Sequence, residues 1–85
     1  MTGSPSVQDL RDHFAHSIQV LGGVTAASRR LDIDERAIRR FINGERPMTI
    51  GLLNDTGLAL RRLIADATAA EAGIVAACGA LPNEA

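Results

Sequence analysis

The sequence predicts an all-α fold, a compact bundle of about five helices. Apolar residues recur at intervals of three and four along most of the chain, which places them on one face of successive helices. Residues that cap or stop helices stand between these apolar stretches. No stretch alternates apolar and polar residues as a half-buried strand does.

The first helix begins after Ser6, a predicted N-cap with Asp9 three residues later as a capping box. It ends at Gly22-Gly23 because glycine favours helix C-termini. Its apolar face consists of Val7, Leu10, Phe14, Ile18 and Leu21.

Two short helices follow. The second covers about 24–31, and Asp32 and Ile33 form the turn after it. Asp34 is the predicted N-cap of the third helix, 35–43, which Gly44 ends.

The C-terminal part is predicted to be helical after Thr49, a further N-cap, because Pro47 cannot continue a helix. Gly57 costs a helix about 1 kcal/mol relative to alanine. The pattern allows one long helix or two helices separated near 54–57, and we favour the break, which gives a fifth helix.

The positive charge is concentrated in one segment. The chain has nine arginines, no lysine and a net charge of −1. Six arginines lie between 29 and 46, where the net charge is +2, and residues 47–85 carry −2. An overall charge near zero therefore does not exclude an acidic partner at this segment.

The third helix is predicted to have two different sides. At 100° per residue, Ala37, Ile38 and Phe41 face one way. An arc of about 100° on the other side carries Arg36, Arg39, Arg40 and Asn43. Guanidinium groups bind phosphate bidentately and match the O6/N7 edge of guanine. A helix of this kind suits the DNA major groove.

The segment GGVTAASRRLDIDERAIRRFINGERPM, with its apolar pattern and its closing NGERP, resembles the helix-turn-helix of Cro and lambda-repressor-like (XRE-type) DNA-binding domains. The resemblance covers about 23–48 and implies a small phage or mobile-element type regulator. The sequence departs from the family pattern at Asp32, where glycine is usual, and at Ser28, where alanine is usual. Asp32 is acceptable because aspartate tolerates a left-handed backbone.

The resemblance also implies roles for individual residues. Base edges would be read by Glu35, Arg36, Arg39 and Arg40, and phosphates contacted by Thr25, Asn43 and Arg46. Other interpretations stay open. Arg39 and Arg36 could form ion pairs at i,i+4 with Glu35 and Asp32, Arg46 could anchor its loop, and Asn43 could simply end a helix. Arg29 and Arg30 are interpreted as surface charges.

A partner subunit is expected because a chain of this size buries only about 60% of its unfolded surface and its single Cys78 allows no internal disulfide. The C-terminal helix is the predicted dimerisation element. The predicted interface consists of Ile50, Leu53, Leu60 and Ile64, and Leu52, Leu58 and Val75 add further apolar surface. The four interface residues and Leu63 could instead belong to the core of the chain, or serve both roles.

The domain organisation follows from these assignments. We expect a disordered N-terminus at 1–5 and a helix-turn-helix DNA-binding core at 6–48. Residues 49–80 form a C-terminal part that completes the core and dimerises, and 81–85 form a tail.

The expected function is sequence-specific transcriptional regulation, with a homodimeric repressor occupying an inverted repeat in double-stranded DNA. The alternative is a protein–protein interaction module, such as an antitoxin or adaptor. We identify no catalytic residue and expect no cofactor or small-molecule ligand. His13 and His16 lack the further ligands of a metal site, and Cys78 is interpreted as an apolar filler. With no signal peptide or membrane span recognised, a cytoplasmic location is expected.

Overall fold

A computed structural model of the protein describes residues 6–79, which form four α-helices. The predicted disordered start at 1–5 and the predicted tail at 81–85 lie outside these residues. The helices are α1 (Val7–Val20), α2 (Val24–Leu31), α3 (Glu35–Ile42) and α4 (Ile50–Cys78). The all-α class is confirmed, and residues 6–79 contain no strand.

The helix starts follow from capping side chains. The hydroxyl of Ser6 accepts a hydrogen bond from the Asp9 amide, while the Asp9 carboxylate accepts one from the Ser6 amide. Asp34 caps α3, and Thr49 caps α4 by accepting a hydrogen bond from the Leu52 amide. These caps satisfy backbone donors that have no partner inside the helix. The three predicted N-caps are confirmed.

Left-handed backbone ends α2 and begins the loop after α3. Asp32 ends α2 with φ 56° and ψ 45° and is the only non-glycine residue with positive φ between 6 and 79. Gly44 follows Asn43, the C-cap of α3, with φ 80°. Both stops lie where the sequence predicted them, although α3 itself ends at Ile42, one residue earlier than expected.

The prediction of a break near 54–57 is wrong, and with it the count of five helices. α4 runs through Gly57 without interruption for 29 residues. Packing explains the difference: Thr56 and Ala59 are buried on either side of Gly57, and the Thr56 hydroxyl donates a hydrogen bond to the Leu52 carbonyl oxygen. These contacts outweigh the cost of about 1 kcal/mol of one helical glycine.

The core lies where the first three helices meet the first half of α4. Phe14 and Ile18 of α1 and Ile38 of α3 are fully buried, and the rings of Phe14 and Phe41 meet edge to face with centroids 6.1 Å apart. Both α1 and α2 pack against all three other helices, whereas α3 and α4 do not pack against each other. α1 and α2 therefore lie between α3 and α4.

Candidate nucleic-acid interface

The division of α3 into an apolar and a polar side is confirmed. Ile38 is fully buried, and Ala37, Phe41 and Ile42 are partly buried. On the other side, exposed side chains form a surface that we call the arginine face, consisting of Arg36, Arg39, Arg40 and Asn43. α3 is thus held by one side and presents the other to solvent.

A short turn fixes the orientation of α3 against α2. The Asp32 and Ile33 amides both donate to the Ser28 carbonyl oxygen, and the Ser28 hydroxyl donates to the Ile33 carbonyl oxygen at 2.6 Å. Ser28 therefore has a role that alanine could not supply at this position. The hydrogen bonds restrain the turn and so restrain the direction in which the arginine face points.

Arg36 and Arg40 are the two arginines of this face whose guanidinium groups make no hydrogen bond or ion pair with another residue of 6–79. The Asp32–Arg36 pair that the sequence allowed does not form. The Arg36 backbone amide donates to the Asp34 carboxylate at 3.3 Å, so the residue contributes to the cap through its main chain alone. Both side chains are free to contact an external anion.

Glu35 and Arg39 are paired with each other. The Arg39 Nη2 atom lies 3.2 Å from the Glu35 Oε1 atom, across one turn of α3. An exposed i,i+4 pair of this kind contributes only a few tenths of a kcal/mol, so a ligand could separate it. The pair nevertheless lowers the positive charge that these two residues offer.

The three candidate phosphate contacts occupy different parts of the surface. Thr25 is exposed in the first turn of α2, where no side chain caps the helix. Asn43 is the exposed C-cap of α3. Arg46 is exposed in the following loop, and its Cζ atom lies 5.2 Å from the centroid of the Phe41 ring. Arg46 is therefore anchored by a cation–π contact and can still reach solvent.

The candidate dimer residues divide into two groups. Ile50 and Ile64 are highly exposed, at 67% and 65%, and are available to a partner. Leu53 and Leu60 are partly buried and pack against the core of their own chain. These two leucines therefore stabilise the monomer, and only the exposed part of each side chain is available to a partner.

The C-terminal half of α4 is a long exposed segment, of which the predicted interface includes only Ile64. Every residue from Ile64 to Cys78 is exposed, including Ile74 and Val75 and also Cys78, which was predicted to be an apolar filler. We call this segment the α4 arm. Its apolar residues were visible in the sequence. The sequence does not show at which residue α4 leaves the core, because that position depends on where α1 and α2 end in the folded protein.

One ion pair links the α4 arm to α2. The Arg30 Nη1 atom lies 3.5 Å from an Asp66 carboxylate oxygen. Arg30 was predicted to be a surface charge. It is exposed, as predicted, and it is paired with Asp66. No local sequence signal identifies this pair, because its members are far apart in the chain.

Within residues 6–79, no group of three or more His, Cys, Asp or Glu side chains is placed to hold a metal ion. None of the four helices combines the length and the hydropathy of a membrane span. Comparisons with models of protein families, with curated proteins and with solved structures gave no significant match.

Proposed function

We propose that this protein is a sequence-specific DNA-binding transcriptional regulator that acts as a homodimer, with α2 and α3 as a helix-turn-helix and α3 as the recognition helix. The single observation that carries the proposal is the free pair of guanidinium groups, Arg36 and Arg40, on the exposed side of a helix whose other side is buried. A regulator of this kind performs no chemistry and acts by occupying a promoter.

The position of α3 in the fold supports this role. α3 packs on α1 and α2 and not on α4, so the exposed side of α3 is not covered by another helix of residues 6–79. A recognition helix has to enter the major groove with its polar side, and a groove about 12 Å wide admits one helix. The remaining helices would then stay outside the groove.

The side chains on the arginine face suit base reading. Arginine binds the O6 and N7 atoms of guanine bidentately, and each such contact is worth about 1–3 kcal/mol of discrimination. Arg36 and Arg40 would read base edges in this way. Glu35 and Arg39 would do so only after separating from each other, and a freed Glu35 could accept a hydrogen bond from a cytosine amino group.

Phosphate contacts would set the register of α3 on the duplex. The uncapped start of α2, beside Thr25, has backbone amides and a positive helix dipole that favour an anion. Asn43 and Arg46 follow α3 and would contact the backbone at the other end of the recognition helix.

The α4 arm supports the homodimer. An isolated helical segment of about 15 residues is marginally stable in water, and this arm exposes Ile64, Ile74 and Val75. The radius of gyration is 16.2 Å, whereas a compact domain of this length has about 12 Å. Pairing of two arms around a two-fold axis would cover these side chains and present two copies of α3 to an inverted repeat, with half-sites about 10 bp apart or a multiple of that.

Selection of bound duplexes from a random pool tests this function. The proposal predicts an enriched inverted repeat whose binding weakens steeply with salt, as expected when arginines displace counterions from phosphates. Arg36→Ala and Arg40→Ala should reduce binding to the selected duplex more than Arg61→Ala, which removes the same charge from an exposed site on α4. If no duplex were enriched at low salt and a host protein bound stoichiometrically instead, the interaction-module alternative would replace this proposal.

A further inference from the structure

A pocket that is open to solvent on one side lies between the C-terminal end of α2 and the middle of α4. Its volume is about 510 Å³, within the range of small-molecule sites. Its lining combines three guanidinium groups with an apolar floor, formed by Arg29, Arg30, Arg62, Leu31, Leu58 and Ala59.

The charges around this pocket favour an anion. Three arginines line it, and Asp55 is the one carboxylate among the lining residues. Asp66 engages Arg30 from outside the pocket lining. Arg29 and Arg62 are exposed and make no ion pair with a residue of 6–79. Two of the three lining arginines therefore have no ion-pair partner among the described residues.

The floor adds a second requirement on the ligand. Ala59 is buried, Leu31 is partly buried and Leu58 is 63% exposed, so apolar surface lies next to the guanidinium groups. Arginine forks match the planar oxygens of carboxylate and phosphate groups. A ligand that satisfies both features has one such group at one end and an apolar body at the other.

We propose that this pocket binds a small organic anion, a carboxylate or phosphate carried on an apolar body. The pocket shares no residue with α3, so the proposal does not require that α3 reads DNA. The anion would compete with Asp66 for Arg30, which is the ion pair that connects α2 to the α4 arm. Occupation of the pocket would thereby loosen one restraint between the two elements.

Calorimetric titration of the full chain with phenyl phosphate tests the proposal, with inorganic phosphate as the comparison anion. We expect saturable binding of phenyl phosphate at one site per chain and weaker binding of inorganic phosphate, which cannot use the floor. Arg62→Ala should raise the dissociation constant about tenfold or more, because it removes a charge-assisted contact. Arg61→Ala is the matched control, since this exposed neighbour does not line the pocket, and it should change the constant less than threefold.

Three results would overturn the proposal. One is the absence of saturable binding of phenyl phosphate at millimolar concentration. Another is an equal effect of Arg61→Ala and Arg62→Ala on that binding. The third is a loss of DNA affinity in Arg62→Ala as large as the loss in Arg36→Ala, which would assign the pocket arginines to DNA phosphates rather than to a free anion.

Discussion

Glu35 and Arg39 form an ion pair across one turn of α3, with the Arg39 Nη2 atom 3.2 Å from the Glu35 Oε1 atom. Arg36 and Arg40, on the same exposed surface, have no such partner among residues 6–79. The four candidate base-reading residues therefore fall into two groups. Two of them are paired with each other, and two have no ion-pair partner among the described residues.

Removing Arg39 should affect DNA recognition less than removing Arg36 or Arg40. Arg39→Ala also frees Glu35, whose negative charge would then face the phosphates without compensation. We expect a moderate loss that Glu35→Gln in the same chain partly restores. Fluorescence anisotropy with the selected duplex measures both variants. An Arg39→Ala loss larger than the Arg40→Ala loss, with no restoration, would assign base reading to Arg39 itself.

Arg46→Ala should have two separable effects. Loss of the cation–π contact with Phe41 should lower the free energy of unfolding by about 0.5–1 kcal/mol, the usual range for exposed contacts of this kind. Loss of a phosphate contact should weaken all duplexes alike and reduce the slope of log K against log salt by about one. Urea unfolding and salt titrations measure these effects. An unchanged salt slope together with the stability loss would restrict Arg46 to loop anchoring.

Two glycine-to-alanine substitutions should change stability in opposite directions. Gly57 lies in the interior of α4 with open space around its Cα atom, so Gly57→Ala should stabilise the protein by about 1 kcal/mol. Gly44 has φ 80°, and a Cβ atom there would lie 3.1 Å from the Arg11 Cζ atom. Gly44→Ala should therefore destabilise it by about 1–2 kcal/mol. Urea unfolding compares the two. Destabilisation by Gly57→Ala would contradict a continuous α4.

Ile74→Glu should dissociate the dimer without unfolding the core. Ile74 lies on the α4 arm and is 43% exposed in the monomer, so a carboxylate there can remain hydrated until a partner covers it. Val7→Glu is the control, because Val7 is also an exposed apolar residue, at 61%, but lies on α1. Light scattering after size exclusion should give a halved mass for Ile74→Glu alone. Equal masses for both variants and the parent chain would exclude the arm as the dimer contact.

Most of the fold could be predicted because its boundaries depend on local chemistry. Capping by Ser6, Asp34 and Thr49, and the left-handed stop at Gly44, each involve residues within a few positions of one another. The exposed arginine face follows in the same way from helical periodicity alone. Short-range sequence patterns were sufficient to predict a helix boundary wherever that boundary depends on residues within about one helical turn of it.

The features that could not be predicted depend on contacts between distant parts of the chain. Gly57 suggested a break, and only the burial of Thr56 and Ala59 against other helices explains why α4 continues. The Arg30–Asp66 ion pair and the pocket beside it require the relative placement of α2 and α4. The periodicity of α4 allowed Leu53 and Leu60 to be core residues, dimer contacts or both, and only the packing of the helices assigns them to the core of their own chain.

The most direct measurement is the affinity of Arg40→Ala for the selected duplex and for every single-base change in one half-site, with Arg61→Ala as the charge-matched control. Base reading predicts that Arg40→Ala loses about 1–3 kcal/mol on the selected duplex. Its discrimination should disappear at one position while all other positions keep theirs. A uniform loss across all duplexes, no larger than that of Arg61→Ala, would contradict recognition through the exposed side of α3.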